Sequence, residues 1–522
     1  MRIALFNTVG LISCDGAHLI SALLKRGGHS VKNILLARRG KGIRHEPDEI
    51  DLLHEILKDC DLVMFAVYTS FVVRAIQITE FVHKKYPGMK VIWGGPHCIS
   101  APELSLKYAD GVCFAEGDVA IVDLVNKMES GADYLNTPNM AFKVNGLYKK
   151  NNILPPLHDM DSLPYYDYDL DNQFIFGREI LPMTGENCRE NYTTYPFSSP
   201  TFHIITSRGC PYQCTYCANV RHISLYGHIP IRFMSVNRVI CELEYTIKRL
   251  GFIQQASFSD DDFLLRDNKQ LEDFSKQYKE KIDLPFSCCV SANTFRKEKL
   301  EILLDAGLKI IELGVQSGSQ RVVDEVFKRK IKVSKTKEIL QQVEPYFRRY
   351  DLKVLLDFII DNPYETKDDI IQTYQYIIDV PPGSVEVNMF FLVFFPGSPI
   401  YERAIKDGII NETSFEKTGR SYVVKSHVQY QKNYETALVV LALLLNRRLR
   451  LQRYFPRFVL RTLGSRPVRK IASLLPSKFY MVIIKGCRPL IHQNGRHLLL
   501  LWRSLKIIFR EIVRGANSSE NG

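Results

Sequence analysis

Cys210, Cys214 and Cys217 stand in the run Ser207-Arg208-Gly209-Cys210-Pro211-Tyr212-Gln213-Cys214-Thr215-Tyr216-Cys217, which puts three thiols on one short loop. Four thiolates close an iron–sulfur cubane into an electron carrier or a structural staple. Three leave one iron with an open position where a substrate can bind, as at a catalytic metal. The spacing therefore predicts chemistry at these cysteines. Zinc is the alternative, but zinc sites usually pair two Cys-x2-Cys hooks, and no second hook occurs among the remaining cysteines.

The elements around this loop must hold it still. Residues 202–206 read as a β-strand, so the cysteines follow a strand, where α/β folds place ligands. Further strands are expected at 255–259, 286–291, 310–315, 353–360 and 385–394, alternating with helical stretches to about residue 410. Six such units predict a partial parallel (βα)6 barrel with its working groups at the carboxyl ends of strands. Asp260-Asp261-Asp262-Phe263 follows one strand, either as an acidic helix cap or as a ligand contact. Cys288 and Cys289 end another; one thiol should face the barrel, as packing or as a hydrogen relay to substrate.

Residues 1 to about 130 also alternate, with strands expected at 3–6, 31–36, 62–67, 90–93 and 111–114, a doubly wound α/β pattern. Its ligand would lie beyond the carboxyl strand ends, at the loops Asn7-Thr8, Thr69-Ser70, Gly94-Gly95-Pro96-His97 and Ala115-Glu116-Gly117-Asp118. Such a domain can equally bind nothing. Between the two regions, a stretch rich in Pro, Asp and Tyr reads as a connector, irregular up to Pro200.

The chain has 522 residues, 46% apolar and 24% charged, a globular composition that excludes general disorder and allows two to four domains. The start reads as a first strand and not a leader, and twelve cysteines lack a disulfide-like framework, so a reducing cytoplasm is expected, with low oxygen for an exposed cluster. No apolar run approaches the roughly 20 residues of a membrane span. Of the net charge of +12, residues 446–514 carry 17 Lys or Arg against one acid, so the remainder is slightly acidic. From Leu498 to Arg514 the basic Arg503, Lys506, Arg510 and Arg514 share one helical face and Leu501, Leu505, Ile508 and Ile512 another. That pattern suits peripheral contact with an anionic membrane, or an apolar face packed on the barrel. Nucleic acid is not expected, since no RNA-binding module accompanies the charge.

Cys-x3-Cys-x2-Cys with an aromatic, Tyr216, before the last cysteine resembles the signature of the radical S-adenosylmethionine superfamily. The resemblance implies a 4Fe-4S cluster on Cys210, Cys214 and Cys217 whose open iron chelates the amino and carboxylate groups of S-adenosylmethionine. Reductive cleavage to a 5′-deoxyadenosyl radical follows, with a reductase, flavodoxin or ferredoxin as electron donor. It also implies S-adenosylmethionine contacts from Tyr216, Asp260, Asp261, Gln316 and Ser317. Gln316 stands where the family usually has Glu, and Asp357 to Thr366 matches the fifth-strand turn with both usual glycines replaced.

Trp93-Gly94-Gly95-Pro96-His97, Pro102-Glu103 and Ala115-Glu116-Gly117-Asp118 resemble the cobalamin-binding domain that precedes many such cores, with Ala115 and Asp118 departing from the usual Gly-Glu-Gly-Glu. This implies corrin contacts from Thr8, Ser70, Gly94, Gly95, Pro96, His97, Glu116 and Gly117. The Asp-x-His-x-x-Gly motif that supplies a cobalt ligand elsewhere is absent, since Asp15-Gly16-Ala17-His18 has a different spacing. His97 can lie near the corrin or simply be solvated or capping. Methylthiotransferases share the architecture but bind a second cluster; Cys14 and Cys98 sit on plausible loops, yet Ser70 replaces a needed cysteine, and Cys60 and Cys113 read as buried.

The expected organisation is a doubly wound Rossmann-like cobalamin-binding domain at 1–135, a linker at 136–200, a partial (βα)6 TIM-like radical S-adenosylmethionine barrel at 201–415 and a basic helical region at 416–522. The expected activity is methylation of an unactivated carbon of a small-molecule or lipid substrate. Radical oxidation or cyclisation without methyl transfer, and a non-enzymatic cofactor-binding protein, are the alternatives.

Overall fold

The computed structural model describes residues 1–12, 15–37, 44–227, 230–381, 383–411, 430–447, 455–477, 479–480 and 484. They fall into two compact units. One holds Met1–Cys289, Arg296–Leu308 and the described residues from 394 to 411; the other holds Val290–Phe295, Lys309–Val393 and the described residues from 430 onward.

The first unit is built on a nine-stranded sheet. Its centre is β1 (Arg2–Asn7), β2 (Ser30–Leu36), β3 (Leu62–Ala66), β4 (Lys90–Gly94) and β5 (Gly111–Cys113). These lie in the order β5-β4-β3-β1-β2, all parallel. The order reverses between β1 and β3, the switch point at which doubly wound sheets bind ligands. Alternation decides which way each side chain points. Ile3 and Leu5 join Met64, Ile92 and Leu124 in one apolar core, while Ala4 and Phe6 join Phe65, Trp93 and Ile78 in a second. Among the helices that cover the sheet are α1 (Asp15–Arg26), α2 (Val72–Lys85), α3 (Pro96–Ser100) and α4 (Ala120–Ser130).

The stretch expected to be an irregular connector adds four strands. β6 (Met140–Val144) and β7 (Leu147–Lys150) extend the sheet antiparallel beyond β5, while β8 (Gln173–Phe176) and β9 (Ile180–Pro182) extend it beyond β2. Each has only three to five residues among Pro, Asp and Gly. Such strands carry almost no periodic signal of their own and are held by the open edges they cover.

Beyond them the first unit contains β10 (Thr201–Ile204), then the short antiparallel pair β11 (Ser207–Arg208) and β12 (Arg232–Phe233), then β13 (Gln255–Phe258) and β14 (Phe286–Val290). β10, β13 and β14 are parallel neighbours. The connecting helices are α5 (Val220–Tyr226), α6 (Val236–Leu250), α7 (Asn268–Lys281) and α8 (Lys297–Asp305). Local sequence sets their ends: the Ser235 hydroxyl caps α6, Gly251 at φ 69° stops it, and Asp267 with Gln270 forms a capping box on α7.

The second unit contains β15 (Leu308–Gln316), α9 (Val333–Arg349), β16 (Lys353–Ile360), α10 (Lys367–Asp379) and β17 (Val385–Phe391), with the three strands parallel. β17 ends three residues earlier than the alternation suggested, where the chain turns toward Phe395-Pro396-Gly397. After α11 (Pro399–Lys406) of the first unit comes α12 (Tyr434–Arg447), whose apolar run is buried nearly all round, as a core helix is. The short helices α13 (Arg457–Leu463) and α14 (Arg466–Ala472) follow. The amphipathic stretch 498–514, most of the basic region 446–514 and Cys14 lie outside the described residues. Among the described residues no helix is long and apolar enough to cross a membrane.

Candidate active site

Asp260, at the end of β13, anchors the start of the cysteine loop. It accepts hydrogen bonds from Thr206 N (2.5 Å), Thr206 Oγ1 (2.7 Å) and Ser207 N (2.9 Å), and pairs with Arg266 at 2.9 Å. The Arg266 guanidinium also lies over the rings of Phe233 and Phe263. Asp260 and Arg266 are both buried, so each charge depends on the other. Asp260 therefore holds the loop, whereas the sequence offered it as a helix cap or a nucleoside contact. The cap is Asp262, which accepts from Leu264 N.

From Arg208 the chain turns at Gly209, whose φ of 102° favours glycine, into Cys210. Cys214 is buried, Cys210 and Cys217 are half-buried, and Cys217 N donates to Cys214 O in the turn that carries Tyr216. Burial first, then the Asp261 carboxylate, pushes the Cys210 thiol up to about 12. A bound cation reverses that preference, because a coordinating thiol is deprotonated. Soft sulfur donors on one loop fit an iron–sulfur cluster. Among the described residues no three His, Cys, Asp or Glu side chains are gathered as a single metal ion would need.

Cys210 faces a cavity of about 380 Å³ within the first unit. Its other walls are the carboxyl ends of the sheet: Leu5 on β1, Phe65 and Tyr68 at β3, Gly94 to Pro96 after β4, and Ala115 to Asp118 after β5. A Cβ on Gly95, at φ 96°, would stand 2.9 Å from Val67 N and O, so only glycine lets these two loops close together. Of the residues expected to contact cofactors, Gly94, Gly95, Pro96, Glu116, Gly117, Cys210 and Asp261 line this one cavity.

Others stand off it. The Thr8 hydroxyl donates to Ala66 O and accepts from Tyr68 N, tying β1 to β3. Ser70 lies in the turn Thr69–Phe71. His97 is fully buried at the start of α3 beside the Thr69 hydroxyl, 3.2 Å away, and burial lowers it to about 4, so its imidazole is neutral. His18 points to the Asp167 carbonyl at 2.7 Å and packs on Tyr168.

The opposite wall carries two ion pairs that no contiguous motif announces. Arg208 on β11 makes a two-pronged pair with Asp118 (2.6 and 3.0 Å), and Arg232 on β12 makes one with Glu116 (2.6 and 3.0 Å). The two-stranded ribbon that leads into the cysteine loop thus grips both acids flanking Gly117. Asn219 and His222 also line the cavity, and Asn219 donates to Asp261 at 2.6 Å. The clue in the sequence was Arg208, two residues before the first cysteine.

Gln316 and Ser317 belong to the second unit. A bulge in β15 between Gly314 and Gln316 puts Gln316 at φ 70°, and a Cβ on Gly314 would sit 2.7 Å from the Gln316 amide nitrogen. Glycine there makes room for Gln316 to fold back along the strand. Ser317 is buried and donates toward Glu365 at 3.5 Å, the long limit of a hydrogen bond. Burial pushes Glu365 up to about 8. Asp357 on β16 is likewise raised to about 8, by burial and then by Glu312, while Asn388 on β17 donates to it at 3.2 Å.

The family model of the radical SAM superfamily matches residues 204–377, and that of the B12 binding domain matches residues 2–125. Over 401 residues the chain is 25% identical to an uncharacterised methyltransferase of Pyrococcus horikoshii, covering 76% of this chain and 79% of that one. It is 27% identical over 168 residues to the cobalamin-dependent radical SAM methyltransferase TokK of Streptomyces tokunonensis, 30% of this chain and 22% of the other. The radical S-adenosylmethionine methyltransferase TsrM of Kitasatospora setae, solved with tryptophan and an S-adenosylmethionine analogue, superposes with a TM-score of 0.61 at 15% identity. That match covers 78% of this chain and 76% of TsrM. The chain thus joins a B12 binding domain to a radical SAM superfamily domain, and the relatives it resembles include cobalamin-dependent radical SAM methyltransferases. The two family models bring with them a 4Fe-4S cluster, S-adenosylmethionine and cobalamin as cofactors.

Proposed function

We propose that this enzyme methylates an unactivated carbon of a small-molecule or lipid substrate, with Cys210, Cys214 and Cys217 as cluster ligands and the loops of Gly94 to Pro96 and Glu116 to Gly117 holding the corrin. The observation that carries the reading is the single cavity shared by Cys210 and the carboxyl strand ends of the sheet. When bound, S-adenosylmethionine on the cluster supplies a hydrogen-abstracting 5′-deoxyadenosyl radical, and cobalamin supplies the methyl group.

The chain's own part is placement. Gly95 lets backbone replace side chain at the cavity wall, Asp260 and Arg266 hold the entry to the cysteine loop, and Tyr216, Asp261, Gln316 and Ser317 are assigned to S-adenosylmethionine. Asp261, itself raised by burial, is placed to accept from an amine or hydroxyl. An external reductant, a flavodoxin, ferredoxin or reductase, supplies the electron. A lipid is the substrate class we favour: Phe458, Ile471 and Leu474 are exposed on and just after α13 and α14, among exposed Arg457, Arg466 and Lys470.

Anaerobically reconstituted protein incubated with methyl-labelled S-adenosylmethionine, reductant and candidate substrates should give 5′-deoxyadenosine and labelled product together. 5′-Deoxyadenosine without label transfer would reject methylation in favour of oxidation or cyclisation. No cleavage with the cluster intact would support a binding protein.

A further inference from the structure

Arg232 carries more than its ion pair. Nη1 and Nη2 donate to Glu116 Oε2 and Oε1, and Nη1 also reaches Leu157 O at 2.7 Å. The third donor, Nε–H, is buried and has no acceptor in the structure, on a side chain only 4% exposed. The residue lines the cavity beside Glu116, Gly117 and His222. A buried guanidinium donor without an acceptor is costly, and native proteins rarely leave one so. Because Arg232 lines the cavity, what fills the cavity is within reach to supply the missing acceptor.

Cobalamin offers such acceptors, because its corrin rim carries acetamide and propionamide carbonyls. Resting on the assignment of the cavity to cobalamin, we infer that Arg232 donates its Nε–H to a corrin amide carbonyl while its other nitrogens hold Glu116. One side chain of the β11–β12 ribbon would then hold both the corrin and the Glu116 loop, and the ribbon continues through Arg208 and Gly209 into Cys210. Arg232 is a cofactor-binding residue from outside the B12 domain, and it ties the corrin position to the cysteine loop.

Full-length protein with its cluster reconstituted would be titrated anaerobically with hydroxocobalamin, following corrin absorption after equilibrium dialysis. Arg232→Lys keeps a cation for Glu116 but has no Nε–H in that place. Loss of one hydrogen bond from a charged donor should weaken Kd roughly ten- to a hundredfold. Asp118→Asn, which breaks the neighbouring Arg208 pair but leaves Arg232 and Glu116 together, should weaken it clearly less, and iron content and melting temperature confirm that both variants fold. Wild-type Kd in Arg232→Lys would overturn the inference and assign the Nε–H to a buried water. Equal weakening in Asp118→Asn would overturn it by locating the effect in the ribbon's general hold on the Glu116–Asp118 loop. If the unsubstituted protein binds no hydroxocobalamin, the assignment of the cavity itself falls, and this inference with it.

Discussion

The surroundings of the cysteine loop in the first unit and the region of β15 and β16 in the second bury acid in opposite ways, although Asp369 elsewhere in the second unit also pairs with Arg321. In the first, Glu116, Asp118 and Asp260 each meet a guanidinium, from Arg232, Arg208 and Arg266. In the second, Asp357 lies against Glu312, and Glu365 near Asp369 and Asp361, and both Asp357 and Glu365 are raised to about 8. Arginine pairing fixes charge and geometry together, because guanidinium does not titrate in the working range and its fork sets direction. Proton retention leaves a site whose charge answers to pH. The loop that must keep its cysteines in place is thus bordered by the first kind, and the interior of strands β15 and β16 by the second.

The largest test of this contrast is Arg266→Ala. It strands Asp260 without its partner, and breaking a buried pair on one side costs about 3–5 kcal/mol. Urea unfolding should show that loss, together with reduced iron–sulfur absorbance; unchanged stability would mean Asp260 is held by Thr206 and Ser207 alone. Next comes Asp357→Asn. The folded state holds the Asp357 proton up to about 8, against 3.8 for the free side chain, so its stabilising contribution is full below about 4 and disappears as pH rises through 8. Between those values stability should fall by up to about 1.4 kcal/mol per pH unit, and the substitution should flatten part of the slope. Denaturant curves at pH 6, 7 and 8 on both proteins would decide, and an unaltered slope would count against a protonated Asp357. The smallest effect concerns cations that face solvent in place of carboxylates. Full-length protein should sediment with vesicles of anionic lipid and not with neutral ones, and Phe458→Ser alone should weaken vesicle binding a few-fold, that exposed side chain contributing about 1 kcal/mol. Equal sedimentation with neutral vesicles would remove the electrostatic part of that reading.

What the sequence disclosed was local. Cys210 to Cys217 and Gly94 to Pro96 are contiguous runs whose chemistry and turn geometry are written in neighbouring letters, and both border the cavity. The central strands with continuous apolar runs, such as β1, β3 and β16, were legible for the same reason. Arg232 was not, because its partner Glu116 is 116 residues away and nothing in Ile231-Arg232-Phe233 announces a two-residue strand. Asp260 was readable as important but not as to role: capping, ligand contact and loop anchoring all need an aspartate after a strand, and only Thr206 and Arg266 in place distinguish them. The strands of 140–182 were hidden because an edge strand of three to five residues takes its shape from the neighbour it covers.

Those edge strands also bear on modularity. The residues matching the B12 family model stop at 125, yet β5 and β2, which would otherwise border the parallel core, are covered by β6 and β8 from further along the chain. A piece cut at that point would present two bare ladders to any passing chain. Both edges of the parallel core are covered only when the chain runs to Pro182, so the sheet extends well past the stretch of homology.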